Sequence, residues 1–584
     1  MTKRNMVSLL VGVGVVAVCS LAPLTGWLAR LELRMLTVAG VQGMIEASEK
    51  TTKSVNDPVT ALANGTRVSL LEEAKRFPGD VALQAAALRF GLEQASPGKR
   101  PENYEGSKEP APVYVSPKDS DVAALLEVAE RGARLEPENA YFPACKVAVL
   151  LAANRDDEAL TALHESATNT TWDEHIPDEI RAKWQQMEQR QGKSPALSRV
   201  AISASILYPH YAQLRAMARV VQAKVIAKEQ AGDLQGGLAL RTEMMALARH
   251  LRNDAPNLIG NLVGMAIHSI ATSRPGGAPK LEKEKLRQLG ESDEALTARV
   301  QVIRDAEWDA YAQRVGHTEL VGTAAQNTAF RLAIKGRMER ADATSPMGMT
   351  RLFGVMKLEA AGLALMLSAL WVVLIGGLCQ GLRRTRRIQE GKPLHSGVRA
   401  GLWLSFGIVP LISLLVSRAA GEEILLGVGL ATVVLTAGTL YFQRRMLGSV
   451  FLTVVSVYGV LALAIATGYG VLGMLQGLGA GNQGLSSATI ALLASPLLLT
   501  IPLLVLLALA IRGWRRRVPA SVAMVRGFPK LALPLMAALL VAWAALLIPT
   551  AQEEESLRQG LERGIQHEGR MIMECAGEPW PGDK

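Results

Sequence analysis

The chain has 584 residues, 63 Lys+Arg against 53 Asp+Glu, 49% hydrophobic residues and a mean hydropathy of +0.18. Soluble domains with 20% charged residues score below zero, so part of this chain is strongly apolar. That excludes a soluble cytosolic enzyme and a disordered protein, and four cysteines without a spacing rule exclude a disulfide-stapled module.

The first apolar run, Met6 to Ala29, follows Lys3 and Arg4 and includes Trp27. It exceeds the ~7–15 residues of a signal-peptide core and lacks an A-x-A site, so residues 1–29 read as a transmembrane anchor. Residues 30–356 form a second region, helical in period almost throughout. Val122, Leu125, Leu126 and Ala129 share one helix face behind the capping candidates Asp119 and Ser120. Further helices are predicted at 59–76, 80–95, 140–153, 157–167, 178–191, 208–231, 234–251, 256–272 and 291–340. They are separated by Pro, Gly and Asn/Asp clusters such as Phe77-Pro-Gly-Asp and Ala231-Gly-Asp. Residues 96–118, with five prolines, read as a polar insertion or linker.

The hairpins resemble tetratricopeptide repeats. Leu135-Glu-Pro137-Glu-Asn-Ala is similar to the close of one repeat and the start of the next, and Asp157-Glu-Ala159-Leu follows at the family offset of 22 residues from Pro137. Gly232-Asp-Leu-Gln-Gly-Gly237-Leu matches the same turn, with Gly237 in the small-residue slot where two helices touch. Pro143 replaces the family's aromatic, and the 59 residues from Pro78 to Pro137 fit the family period only with 96–118 as an insertion. The resemblance covers about 75–260 and implies a surface that binds peptides or protein partners.

Six further spans are predicted in residues 357–550, at Leu358–Leu382, Ala400–Ser417, Ile424–Phe442, Leu447–Gln476, Ser487–Ile511 and Leu531–Thr550. The expected fold class is therefore all-α, a polytopic membrane protein with about seven transmembrane helices and a large helical-hairpin domain outside the cytoplasm. With the N-terminus cytoplasmic, the inner flanks hold 16 basic residues against one acid, Glu390. The short outer loops offer only Arg418, opposed by Glu422 and Glu423. An acidic tail, 551–584, follows on the outer side, opening with Glu553-Glu-Glu555. The net charge of +10 thus belongs to the flanks, leaving no basic face for nucleic acid. Two basic runs, Arg383, Arg384, Arg386 and Arg387, then Arg515, Arg516 and Arg517, serve as topology signals that touch anionic lipid or as a dock for a cytoplasmic partner.

Candidate chemistry is sparse. Gly479-Ala-Gly481-Asn-Gln-Gly484 matches a dinucleotide fingerprint but joins two predicted spans, where a strand and a helix are required. Gly473 and Gly477 form a GxxxG that suits close helix approach. Trp172-Asp-Glu-His175-Ile-Pro-Asp178-Glu179 gathers carboxylates around one histidine, as a metal site would and as a helix start also does. His250 and His268 fall on helices, and packing accounts for both. Cys145 and Cys575 lie on the outer side, where a bond between them or a buried free Cys145 thiol would serve. The spans hold no ionisable residue except Glu359, which argues against a coupled pump. No catalytic residue, metal or cofactor is nominated. The expected function is non-enzymatic: an inner-membrane protein of bacterial type that offers its helical domain to a protein partner outside the cytoplasm. The alternative is the permease subunit of an ATP-driven exporter, with a separate cytoplasmic ATPase.

Overall fold

The computed structural model describes residues 3–35, 57–66, 69–104, 113–281, 283–288, 290–341, 349–392, 505, 508–509, 511–513, 515–575 and 579–580. Among them the chain is all-helical, 79% helix with no strand. It divides into two compact units, Met1–Glu46 with Leu352–Glu555, and Ala47–Arg351 with Ser556–Lys584.

The chain opens in the first unit with α1 (Lys3–Leu21) and α2 (Gly26–Met35). The second unit begins with α3 (Pro58–Asn64), α4 (Ser69–Arg76), α5 (Val81–Gly91), α6 (Asp119–Leu135), α7 (Tyr141–Ala152) and α8 (Asp156–Thr168). It continues with α9 (Ile176–Gln191), α10 (Ala196–Ala204), α11 (Pro209–Gln230), α12 (Leu234–Asp254), α13 (Leu258–Ala271), α14 (Lys283–Leu286), α15 (Asp293–Arg314) and α16 (Thr323–Ala341). The first unit resumes with α17 (Met349–Arg383) and α18 (Arg386–Gln389). The boundary between units at Glu555 falls inside α19 (Ala520–Gln566), and α20 (Glu568–Cys575) belongs to the second.

Local chemistry accounts for five helix starts and two turns in the second unit. Asp57, Asp80, Asp233, Asn257 and Ser292 each accept a backbone N–H at the start of a helix, satisfying donors that have no partner within it. Asn154 (φ +57°) turns the chain between α7 and α8, and Gly232 (φ +93°) does so between α11 and α12. A Cβ on Gly237 would lie 2.5 Å from Glu229 Cγ, so the small residue there lets α11 and α12 approach. The core runs from Leu70 and Leu88 through Phe142, Val149 and Val221 to Leu247 and Trp308.

Two expectations need correction here. The helix expected over 291–340 is broken, because Gly316 (φ +82°) and Gly322 (φ +83°) turn the chain between α15 and α16. Helix α10 adds an element that periodicity did not predict. Within the Pro-rich stretch expected as an insertion or linker, the described Arg100 pairs with Asp156 at 2.6 Å and is buried.

The membrane count also changes. Among the described residues one helix, Val522–Gln566 within α19, is long and apolar enough to cross a membrane, against the seven expected. Met6–Ala29 is not one straight helix, because α1 and α2 are bent by 119° across a break that holds Pro23, which has no N–H to continue the ladder. The span expected at Leu358–Leu382 falls within α17, one continuous helix from Met349 to Arg383. Ala400–Ser417, Ile424–Phe442, Leu447–Gln476 and most of Ser487–Ile511 lie outside the described residues.

In the first unit, α2, α17 and α19 share an apolar core of Leu28, Val372, Phe528, Trp543 and Leu547. A Cβ on Gly362 would meet Glu32 Oε1 at 2.8 Å, so α17 approaches α2 closely there. Helix α19 contains Pro529, Pro534 and Pro549, a pattern that membrane helices tolerate when neighbouring groups re-satisfy the backbone.

The second unit closes on a buried ion pair. Arg241 binds Glu229 in two-pronged fashion, Nε to Oε1 at 2.7 Å and Nη2 to Oε2 at 2.9 Å, and both side chains are fully buried. The guanidinium also donates to the carbonyls of Ala271, Ser273 and Arg274, while Glu229 accepts from Tyr311 Oη at 2.7 Å and Gly277 N at 2.9 Å. Removing one partner leaves the other charge buried and alone. Arg241→Ala is expected to destabilise this unit by about 3–5 kcal/mol, measured by denaturant unfolding in detergent, and an unchanged midpoint would refute the assignment.

Candidate functional site

A groove of about 400 Å³ lies between α8 and α12 in the second unit. Its apolar lining comes from Ala167 on α8 and Leu238, Ala239 and Ala246 on α12. Small residues three to seven positions apart on one helix leave its backbone approachable. The polar lining includes His164, Thr168, Thr242, Glu243 and His317. His164 Nδ1 lies 2.8 Å from Glu243 Oε1 across the groove, and His317 Nδ1 lies 2.7 Å from Glu319 Oε1. These polar handles flank an apolar strip, the arrangement that fixes register for a bound segment.

The Trp172–Glu179 motif is built differently from a metal site. His175 has φ +52°, which turns the chain into α9. Its Nδ1 faces Asp178 Oδ2 at 2.9 Å and its Nε2 faces Glu136 Oε2 at 3.1 Å, so both ring nitrogens are engaged by carboxylates. Burial pulls the imidazole toward neutrality, yet the Asp178 hydrogen bond and the charges of Asp173 and Glu136 outweigh it and raise its pKa to about 9. A protonated ring cannot ligate a metal, and among the described residues no cluster of three metal-ligating side chains occurs. His175 acts as a buried cation tying α9 to the end of α6.

The neighbouring Glu174 turns inward. It accepts from Trp172 Nε1 at 2.7 Å and Tyr211 Oη at 2.8 Å and lies 3.1 Å from His210 Nε2, all buried. Asn257 Nδ2 donates to the same Tyr211 hydroxyl at 2.8 Å while its Oδ1 caps α13. Glu179, the last residue of the motif, pairs with the buried Arg89 of α5. The motif's acids are thus anchors between helices. His268 is buried, and burial with nearby Arg252 lowers its pKa to about 4. His250 lies 3.5 Å from Asp254, and the Cys145 thiol is free and buried. The side chain of Cys575 lies outside the described residues, as do both glycine motifs at 473–484.

In the first unit, Arg383, Arg384 and Arg386 are exposed at the end of α17 and on α18, and Arg515, Arg516 and Arg517 are exposed before α19. The side chain of Arg387 is not described. Arg526 Nη2 donates to the carbonyls of Ile388 at 2.6 Å and Gln389 at 3.0 Å, so α19 holds the end of α18 beside it. Taken span by span, Glu359 stands alone, whereas the structure brings Glu554 of α19 and Glu32 of α2 close to it. Glu32 also accepts from Trp543 Nε1. Hydropathy carried no sign of this meeting, because Glu32 and Glu554 sit just outside the predicted spans.

No family model, curated protein or solved structure matches the chain.

The His175 pKa lies above its unfolded value, so its contribution to stability is complete below about pH 6.5 and is lost as pH rises through about 9. His175→Gln is expected to cost on the order of 3 kcal/mol below pH 6.5, with the gap to the parent closing above pH 9 in thermal unfolding followed by circular dichroism. A gap that widens with pH would reverse the assignment.

Proposed function

We propose that this chain is a non-enzymatic interaction protein of a cell membrane, which offers the α8–α12 groove to a segment of a protein partner outside the cytoplasm. The groove carries the reading. Its floor of small side chains suits close contact with a bound helix or extended strand, and its His164–Glu243 and His317–Glu319 pairs supply polar contacts at the sides. The resemblance of the surrounding hairpins to tetratricopeptide repeats points to the same class of ligand. The basic flanks support an N-terminus in the cytoplasm of a bacterial-type inner membrane, with α19 as the candidate anchor.

Ala239 is exposed on the groove wall, so a long side chain there fills the groove without entering the core. Ala239→Arg in the full chain is expected to reduce recovery of the partner by about tenfold in cross-linking from native membranes, with helix content unchanged. Replacing Arg383, Arg384, Arg386 and Arg387 with serine is expected to leave that recovery intact. If the basic-run variant loses a cytoplasmic ATPase while Ala239→Arg loses nothing, the exporter reading replaces this one.

A further inference from the structure

Two stretches more than two hundred positions apart fold as one body, Ala47–Arg351 with Ser556–Lys584. The clasp between them is specific. Arg558 of α19 pairs with Glu188 and donates to Ser194 O at 2.9 Å. Glu568 reaches the start of α13 twice: its carboxylate accepts from Leu258 N, and its own N–H donates to Pro256 O, each at 2.9 Å. Trp580 is 1% exposed and meets Phe330 edge-on with ring centroids 5.1 Å apart.

A bilayer cannot pass through such a body. The ion pairs and the backbone bonds of the clasp would have to open in hydrocarbon, where each unsatisfied polar group costs several kcal/mol. Within α19 the uncharged stretch runs from Leu531 to Gln552, and Arg558 follows on the same helix. The residues before that stretch are basic, Arg512, Arg515, Arg516, Arg517, Arg526 and Lys530, and those directly after it are acidic, Glu553, Glu554 and Glu555.

We infer that α19 crosses the bilayer and that residues 47–351 and 556–584 occupy one and the same face of the membrane, opposite the Arg512–Lys530 flank. The basic flank marks the cytoplasmic side, and the folded body with both its pieces faces away from it. The inference goes beyond the docking role and stands whether or not the groove binds a partner.

The test uses the full chain with its four cysteines changed to serine and one exposed cysteine restored at a time, as Ser120→Cys, Glu574→Cys or Arg515→Cys. Right-side-out membrane vesicles are treated with a membrane-impermeant maleimide. Ser120→Cys and Glu574→Cys are expected to label to the same extent, and Arg515→Cys only once detergent opens the vesicles. Labelling of Ser120→Cys and Glu574→Cys from opposite sides, or of all three from one side, overturns the inference. Protease added to vesicles of the native chain, tagged after Lys584, covers the case in which the cysteine-free chain does not insert. The tag and residues 47–351 are then expected to be attacked together, and protection of either one alone overturns the inference.

Discussion

A carboxylate with no exposure to water organises the helical unit. Glu174 is held by Trp172, His210 and Tyr211, and through Tyr211 by Asn257, the cap of α13. Burying that charge is costly unless each acceptor site is filled, so the loop before α9, the start of α11 and the start of α13 must arrive together. The Arg241–Glu229 pair imposes the same demand on α11, α12, α15 and the turn after α13. Two buried polar junctions, each drawing donors from distant positions, select one arrangement of helices that apolar packing alone would leave loosely specified.

That rigidity bears on function. The groove lies between α8 and α12, and α12 is the helix whose Arg241 is locked from behind by Glu229. Under the proposed docking role, a wall fixed in this way would lower the ordering cost of binding a segment. The polar groups most suggestive of chemistry in the sequence are spent on structure instead. His175 is saturated by carboxylates, and Glu174 and Glu179 face the interior.

The helices of the second unit were legible because the signals that set them are local. Caps such as Asp80, Asp233 and Asn257, turns such as Asn154 and Gly232, and a period near 3.6 act within a few residues. The breaks at Gly316 and Gly322 were missed because glycine inside an apolar-periodic stretch reads equally as a tolerated helix residue. The two-helix form of the N-terminal run was missed because hydropathy sums composition and is blind to direction. The groove left no mark either, since Ala239 and Ala246 are ordinary helix residues until α8 lies beside them.

The amino-acid sequence by itself determined an all-helical chain, a helical region followed by an apolar one, and basic flanks beside apolar runs, because these are properties of neighbours along the chain. Only the tertiary structure decided that the acidic tail folds back onto the helical unit, that Glu568 meets Leu258 and that Glu359 meets Glu554. Those contacts join residues hundreds of positions apart. The free energy that makes them belongs to desolvated charge, which has no value until a partner arrives from elsewhere in the fold.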